Sequence, residues 1–483
     1  MNQRFLGALM MVLPTAVLHT PPALHATSVL QATSAAEIGG CAGTVPERVV
    51  AANPSNYRSL LNTLGPGDLL QLEAGTYTEG LPFFDHHGEP DRCIIVEGPE
   101  NGGAVFMGRD CCNTVSLTDS SYLVIRNLEL DGDGRWGDAV KAESPSTAVH
   151  HITLENLSIS NHDRDQQVVG INTKCPTWNW VIRRNVITST GTGIYLGNSD
   201  GEDEFVNGLV EYNVIYDTVG YNMQVKHQNG RSTGAGMPAS GDTVIRHNVF
   251  SKAQGGSSGG NARPNLLIGH RPLNGNGAND NTLIYGNFFY QNPNEGLFQG
   301  EGHVIFYNNL LVNDFGAAVR IQAHNDVPKR VRVFYNTIVA TGTTVSISSG
   351  DAGFEQRLAG NALFGNSPSG GVQVDNASFS YASAGTYLNN PDGVLTGAAD
   401  RLDLAPLASL QGTVDSTNIA GFEDGGVDFD GNPRSTSYRG AYATGTAGWL
   451  LSLEIKPEAM SSLIFGDGFE SGSLTAWSGA SIH

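Results

Sequence analysis

The chain has 483 residues, of which 61 are glycine and only 15% are charged, a balance that argues against a disordered chain and suits a turn-rich all-β architecture. Asp and Glu outnumber Lys and Arg by 47 to 27, giving a formal charge of -20. That argues against nucleic acid as a partner, because phosphate binding is driven by Lys and Arg, and it confines any polyanion to a local basic patch.

In chain order, Arg4 precedes the apolar run Phe5 to Leu18, after which small and polar residues take over. This pattern predicts a secretory signal peptide over residues 1–26, cleaved after Ala26, and hence a secreted or periplasmic protein. No later segment is apolar enough over sufficient length to span a membrane. Five cysteines come next, Cys41, Cys93, Cys111, Cys112 and Cys175. An exported context permits disulfides, an odd count leaves at least one thiol free, and the spacing matches no zinc site. Residues 53–80, NPSNYRSLLNTLGPGDLLQLEAGTYTEG, read as a short amphipathic helix beginning near Asn56, a Gly-Pro-Gly break, a strand and a tight turn at Ala74 and Gly75. Such a helix caps the first unit of a solenoid and protects its open edge.

From Asn127 onward the chain repeats. An asparagine in an apolar frame recurs at Asn127, Asn156, Asn185, Asn213, Asn248, Asn287, Asn309, Asn336 and Asn361, at intervals of 29, 29, 28, 35, 39, 22, 27 and 25 residues. Periods in this range mark stacked supersecondary units, none of which buries its own apolar face. The units are rich in β-branched residues, and about ten residues after each Asn comes a second short strand, as in VGINTK, TGIYLG, YNMQVKH and PNLLIGH. Two or three short parallel strands per turn with Asn at one corner describe a parallel β-helix. The asparagines are structural, each amide bonding backbone and the Asn of the next coil. The solenoid domain is placed at residues 41–442, with its regular core ending near Phe364, and residues 443–483 form a tail.

The run GPGDLLQLEAGTY at Gly65 to Tyr77, succeeded by the Asn repeat, resembles the opening of right-handed parallel β-helix proteins of the pectate lyase-like group, and within it polysaccharide lyases related to chondroitinase B and alginate lyase. DFDGNPRSTSYRGAY at Asp428 to Tyr442 is similar to the sequence closing many bacterial β-helix proteins. IFGDGFESGSLTAWS at Ile464 to Ser478 resembles a short C-terminal module of exported proteobacterial proteins. The resemblance implies an all-β, single-stranded right-handed solenoid with an N-terminal capping helix and an irregular tail. It further implies action on an acidic polysaccharide, and the protein is expected to be a monomer.

The intervals of 35 and 39 exceed the smallest coil by 13 and 17 residues, so extra loops stand there: 227–241, 253–264 and 271–280. Function in solenoids concentrates beside such insertions. If Ile171, Ile194, Met223, Leu266, Leu297 and Val319 point inward, alternation turns Asn172, Tyr195, Gln224, Leu267, Phe298 and Arg320 outward, and two residues on lie Lys174, Gly197, Lys226, Gly269, Gly300 and Gln322. His227, His270, Arg271 and Glu301 stand at strand ends.

Lys226, His227, His270, Arg271 and Arg320 thus form a basic strip on an acidic molecule, which suits β-elimination of a uronic-acid polysaccharide. That reaction needs a cation on the uronate carboxylate, a base for the C5 proton and an acid for the leaving oxygen. In the lyases resembled, a Lys is the base and an Arg lies one coil on, often with calcium at the carboxylate. Lys226 and Arg271 fit those roles here, with His227 as rival base and His270 beside it. Arg320, Gln224, Lys174, Glu301 and Tyr195 are candidate substrate-binding residues. Calcium is a possible cofactor. Its candidate ligands, Asp131, Asp133, Asp138, Asp200, Glu202 and Asp203, form no complete EF-hand pattern.

Two alternatives stay open. One is a noncatalytic carbohydrate-binding or cell-surface protein in which Lys226 and His227 are only solvated surface. The other is a polygalacturonase-like hydrolase, suggested by Asn172-Thr173-Lys174, Gly269-His270-Arg271 and Arg320-Ile321-Gln322. The hydrolase reading fails at Lys174, which replaces the Asp an inverting carboxylate pair would require.

Overall fold

A computed structural model describes residues 38–458, apart from residues 42, 145–146, 235, 255–257, 398–399, 413–418, 420 and 435–437. The expected signal peptide and the segment Ile464 to Ser478 lie outside the described residues. Successive coils stack their strands into three sheets, of 15, 10 and 12 strands. Every strand pairing along them is parallel, as in Asn172 opposite Tyr195 and Tyr195 opposite Gln224. The chain is a parallel β-helix, with its core running as one stripe of Ile, Leu, Val and Phe from Ala52 to Leu363. Among the described residues no helix is long and apolar enough to cross a membrane.

The capping helix is short, Tyr57–Leu61, and buries Tyr57 and Leu61 against the first coils. Cys41 and Cys93 form a disulfide, Cys111 is bonded to Cys112, and Cys175 is the buried free thiol, its acidity suppressed by burial to a pKa of about 12.

The asparagine ladder is real but begins later and ends later than the repeat suggests. From Asn185, each Nδ2 donates to the Oδ1 of the next member at 2.8–3.0 Å, through Asn213, Asn248, Asn287, Asn309, Asn336 and Asn361 to Asn376. Each Oδ1 also accepts the backbone N–H of the preceding Asn, as Asn287 does from Asn248 at 2.9 Å. Asn127 and Asn156 instead occupy the left-handed corner at φ 59° and 53°, a position filled by Arg184, Tyr212 and His247 in later coils. Leu157 takes the inward place, and its N–H donates to Asn185 Oδ1 at 2.9 Å. Asn287→Ala removes the acceptor of the Asn248 backbone N–H, whereas Asn248 Nδ2 keeps the Val210 and Arg246 carbonyls, so it is expected to cost about 1–3 kcal/mol in urea unfolding, from one unsatisfied buried donor.

The solenoid outlasts Phe364, with strands Val372–Val374 and Ala377–Phe379 completing a further coil. The chain then folds back along the outside. Ala384, Leu388, Leu404, Phe429, Tyr442 and Leu451 cover the outer face of the 12-stranded sheet at Val249, Phe288 and Val339. Ile419 and Phe422 pack at Tyr307 on the 15-stranded sheet. This packing continues past Tyr442, where Lys456 is 4% exposed and its ammonium donates to the Phe429 carbonyl at 2.5 Å. Among the described residues, these returning segments leave the 10-stranded sheet uncovered.

Candidate functional site: a basic pocket on the open sheet

The insertions flank this open sheet from both sides. The 253–264 loop precedes strand Leu266–Ile268, whereas 227–241 and 271–280 come after strands Met223–Val225 and Leu266–Ile268. The latter two insertions are joined by a buried ion pair, Arg231 to Asp280 at 2.6 Å. They form a fixed wall rather than loose loops.

A cavity of about 190 Å³ lies on the sheet, lined by Asn172, Lys174, Tyr195, Gln224 and Lys226 from three adjacent coils, with Gln166, Gln167, Tyr221 and Arg263 from the near edge. Lys174 Nζ sits 3.6 Å from the Tyr195 ring centroid and Lys226 Nζ 5.9 Å from it. Lys174 donates to Asn198 Oδ1 at 3.3 Å, and neither lysine has a carboxylate partner among the described residues. Burial, then the charge of Lys226, pushes Lys174 down to a pKa of about 8. Burial lowers Lys226 too, with Glu301 opposing. Burial raises the Tyr195 phenol, whose hydroxyl meets Ser199 Oγ at 2.7 Å. Asn172 is 4% exposed. Its Nδ2 donates to Asp138 at 2.8 Å while its Oδ1 has no partner among the described residues.

Of the residues singled out by sequence, Lys226, Gln224, Lys174 and Tyr195 converge on this cavity, and the others go elsewhere. Arg271 turns inward, 2% exposed, donating to Thr282 Oγ1 at 2.7 Å and the Phe205 carbonyl at 3.4 Å, so it does not share the pocket with Lys226. His270 is also 2% exposed, with Nδ1 donating to the Arg271 carbonyl at 2.7 Å. Glu301 is a buried anchor. Its carboxylate accepts the N–H groups of His324, Asn325 and Asp326 at 3.1, 2.7 and 2.9 Å. His227 lies outside the pocket lining, its Nδ1 3.1 Å from Asn325 Nδ2, and burial lowers its pKa. Arg320 is on the open sheet, paired with Glu295 at 3.5 Å.

One alternation slipped: Phe298, not Leu297, pairs with Leu266 and points inward, and Gln299 takes the outward place beside Arg320. Arg263, Tyr221, Gln166 and Gln167 were not identified from sequence. Only the position of Arg263 within an insertion hinted at it.

The acids expected to hold calcium are engaged otherwise. Asp138 accepts from Val169 N and Asn172, Asp131 from Asp133 N and Asn161, Asp133 pairs with Arg135, Asp200 accepts from Glu202 N, Glu202 accepts from Asn229 Nδ2, and Asp203 accepts from Asn198. Asp85, His87 and Asp119 are the group of described residues whose ligand atoms all come within 4.8 Å of one another. His87 and Asp119 line a separate trough of about 540 Å³, whose lining includes neither lysine. The basic pocket has no donor set suited to calcium.

No protein-family model matches the chain, and no curated protein matches it. Solved structures do. The A-module of mannuronan C-5 epimerase AlgE4 from Azotobacter vinelandii is similar at 15% identity and a TM-score of 0.45, over 68% of this chain and 91% of that one. An alginate lyase from Paenibacillus is similar at 14% identity and a TM-score of 0.36, over 69% and 98%. A GH136 lacto-N-biosidase from Eubacterium ramulus is similar at 11% identity and a TM-score of 0.45, over 68% of each chain. The chemistry of this chain rests on its own groove residues.

Proposed function

We propose that this is an exported polysaccharide-acting protein that binds a uronic-acid polysaccharide across the open sheet and cleaves it by β-elimination. The observation that carries this reading is the pair Lys174 and Lys226, half-buried, without carboxylate partners among the described residues, on either side of Tyr195. Such a pair has unmet charge for a carboxylate and a lowered amine pKa for proton abstraction. The Cys41–Cys93 disulfide suits an oxidising compartment.

In the proposed step, the lone pair of neutral Lys174 takes the C5 proton while charged Lys226, with Arg263 nearby, neutralises the carboxylate that acidifies it. The C5–H electron pair forms the C4=C5 double bond as the C4–O bond breaks. Tyr195, held protonated by burial, gives its proton to the departing oxygen. Hydroxyls of the sugar find acceptors in Asn172 Oδ1 and Gln224.

The test is incubation with acidic polysaccharides while tracking the ultraviolet absorbance of unsaturated uronate. Product is expected, and rates within about twofold with and without chelator, since lysines rather than a metal face the carboxylate. Absence of product with retained binding would favour the carbohydrate-binding reading instead.

A further inference from the structure

The larger trough takes no part in the proposed elimination, and its chemistry differs from that of the lysine pocket. Its floor follows an outward column at the edge of the 15-stranded sheet. His87 bridges to Ser121, and His150, Trp178 and Val206 continue the register, one per coil. The 227–241 insertion lines the trough through Ser232, Gly234 and Met237. Because that insertion is pinned by the Arg231–Asp280 pair, the space of about 540 Å³ is preformed, and it has the size of a small-ligand pocket.

Stacking along the column decides which atoms the trough presents. The His150 and Trp178 rings lie 14° from parallel with centroids 4.4 Å apart, so each covers a face of the other and leaves its edge for a ligand. Trp178 is 4% exposed, yet its Nε1–H has no partner among the described residues. The indole edge that carries Nε1 faces the insertion, since a Cβ on Gly236, at φ +93°, would stand 3.5 Å from Cζ2. A buried N–H without an acceptor is costly, and an oxygen bound in the trough would meet it.

His150 supplies a second donor. Asn207 Nδ2 donates to Asn179 Oδ1 at 2.7 Å, which turns Asn179 Nδ2 onto His151 Nε2, also at 2.7 Å. His151 therefore carries its proton on Nδ1 and donates it to His150 Nδ1 at 2.7 Å, which leaves the His150 proton on Nε2. Burial pushes both imidazoles down to a pKa of about 4, so both are uncharged at neutral pH.

The acceptors are carboxylates. Asp119 and Asp203 line the same space, with no lysine or arginine in the lining, and Asp203 accepts Asn198 Nδ2 through Oδ2. A carboxylate or sulfate only accepts, and would be set against these acids on a protein of net charge -20. An ammonium only donates, and would leave both ring N–H groups unanswered. A hydroxyl suits both kinds of partner, donating to a carboxylate and accepting from a ring N–H. Ala148, Pro176 and Met237 add apolar surface for the C–H face of a pyranose.

We propose that this trough is a binding site for an uncharged sugar, distinct from the lysine pocket. The two sites adjoin, because Lys174 donates to Asn198 Oδ1 and Asn198 Nδ2 donates to Asp203 at 2.9 Å. The trough binds its sugar whether or not the pocket eliminates.

Saturation-transfer NMR and calorimetry of the full chain with neutral oligosaccharides of glucose, galactose, mannose, xylose and N-acetylglucosamine test this. Cellouronate and glucosamine tetramers serve as the anionic and cationic competitors. At least one neutral oligosaccharide is expected to bind, and neither charged tetramer to displace it at about tenfold higher concentration. Trp178→Phe keeps the ring and removes the N–H, and should weaken that binding about tenfold. Asp119→Asn, at a half-buried position outside the ring stack, should weaken it several-fold and keeps the test independent of Trp178 packing. Binding of no neutral oligosaccharide overturns the proposal, as does displacement by either charged tetramer. Neutral binding that neither variant changes also overturns it, because the sugar then sits elsewhere. Unsaturated product from a uronate without any neutral binding would remove the trough site and leave elimination standing. Neutral binding lost in the variants, without product from any uronate, would do the reverse.

Discussion

Asp280→Ala is expected to destabilise the protein by about 3–5 kcal/mol, the cost of stranding a buried charge by removing its partner. Asp280 is 2% exposed and the Arg231 side chain fully buried, at 2.6 Å. Asp280 also accepts from Ser240 Oγ at 2.8 Å, tying both ends of the 227–241 insertion to the 271–280 insertion. Arg271 lies in the same interior, where burial pushes its guanidinium down to about 10 and Asp280 is the first charge opposing that shift. One carboxylate therefore supports two buried guanidinium groups. Urea unfolding measures the loss. The double variant Arg231→Met, Asp280→Asn should recover part of it, because the pair is removed rather than broken. If Asp280→Ala unfolds within 1 kcal/mol of the unmodified protein, the wall is not held by this pair.

That wall also shows how far the sequence could be read. The lengthened intervals between Asn213 and Asn287 located it, since extra residues that do not propagate a coil must leave it. They could not show that Arg271 folds back into it. Its burial depends on the Phe205 carbonyl, 66 residues away in sequence. A Gly-His-Arg run at a strand end looks the same whether it faces a groove or an interior.

The corner asparagines were legible as corners, but Asn suits both the left-handed position and the inward ladder, so Asn127 and Asn156 could not be separated from Asn185 by frame alone. At EGLFQGE two adjacent apolar residues compete for the inward place, and both Leu297 and Phe298 are in fact fully buried, one in the turn and one in the strand. Lys174, Tyr195, Gln224 and Lys226 were recoverable because strand alternation is strict where pairing is regular. Arg263, in a Gly- and Ser-rich insertion without register, was not.

Replacing Lys174 by Met is expected to lower turnover by about 10²–10⁴-fold, the range for loss of a positioned general base, with substrate binding reduced far less because Lys226 and Arg263 remain. The pH dependence distinguishes this role from a structural one. Lys174 must be neutral to act, so activity should rise with pH and level off above about 8, the pKa set by burial and by Lys226. Tyr195, whose pKa burial raises above its ordinary value, stays protonated across that limb and can still donate. Lys226→Met removes the second cause of the Lys174 shift. The remaining amine then holds its proton more tightly, and the rising limb should move to higher pH even as binding of the carboxylate weakens. A variant that merely loosened the pocket would lower the whole profile without moving it. If the limb of Lys226→Met stays in place, or moves to lower pH, the two lysines are not coupled as proposed and Lys174 is not the base.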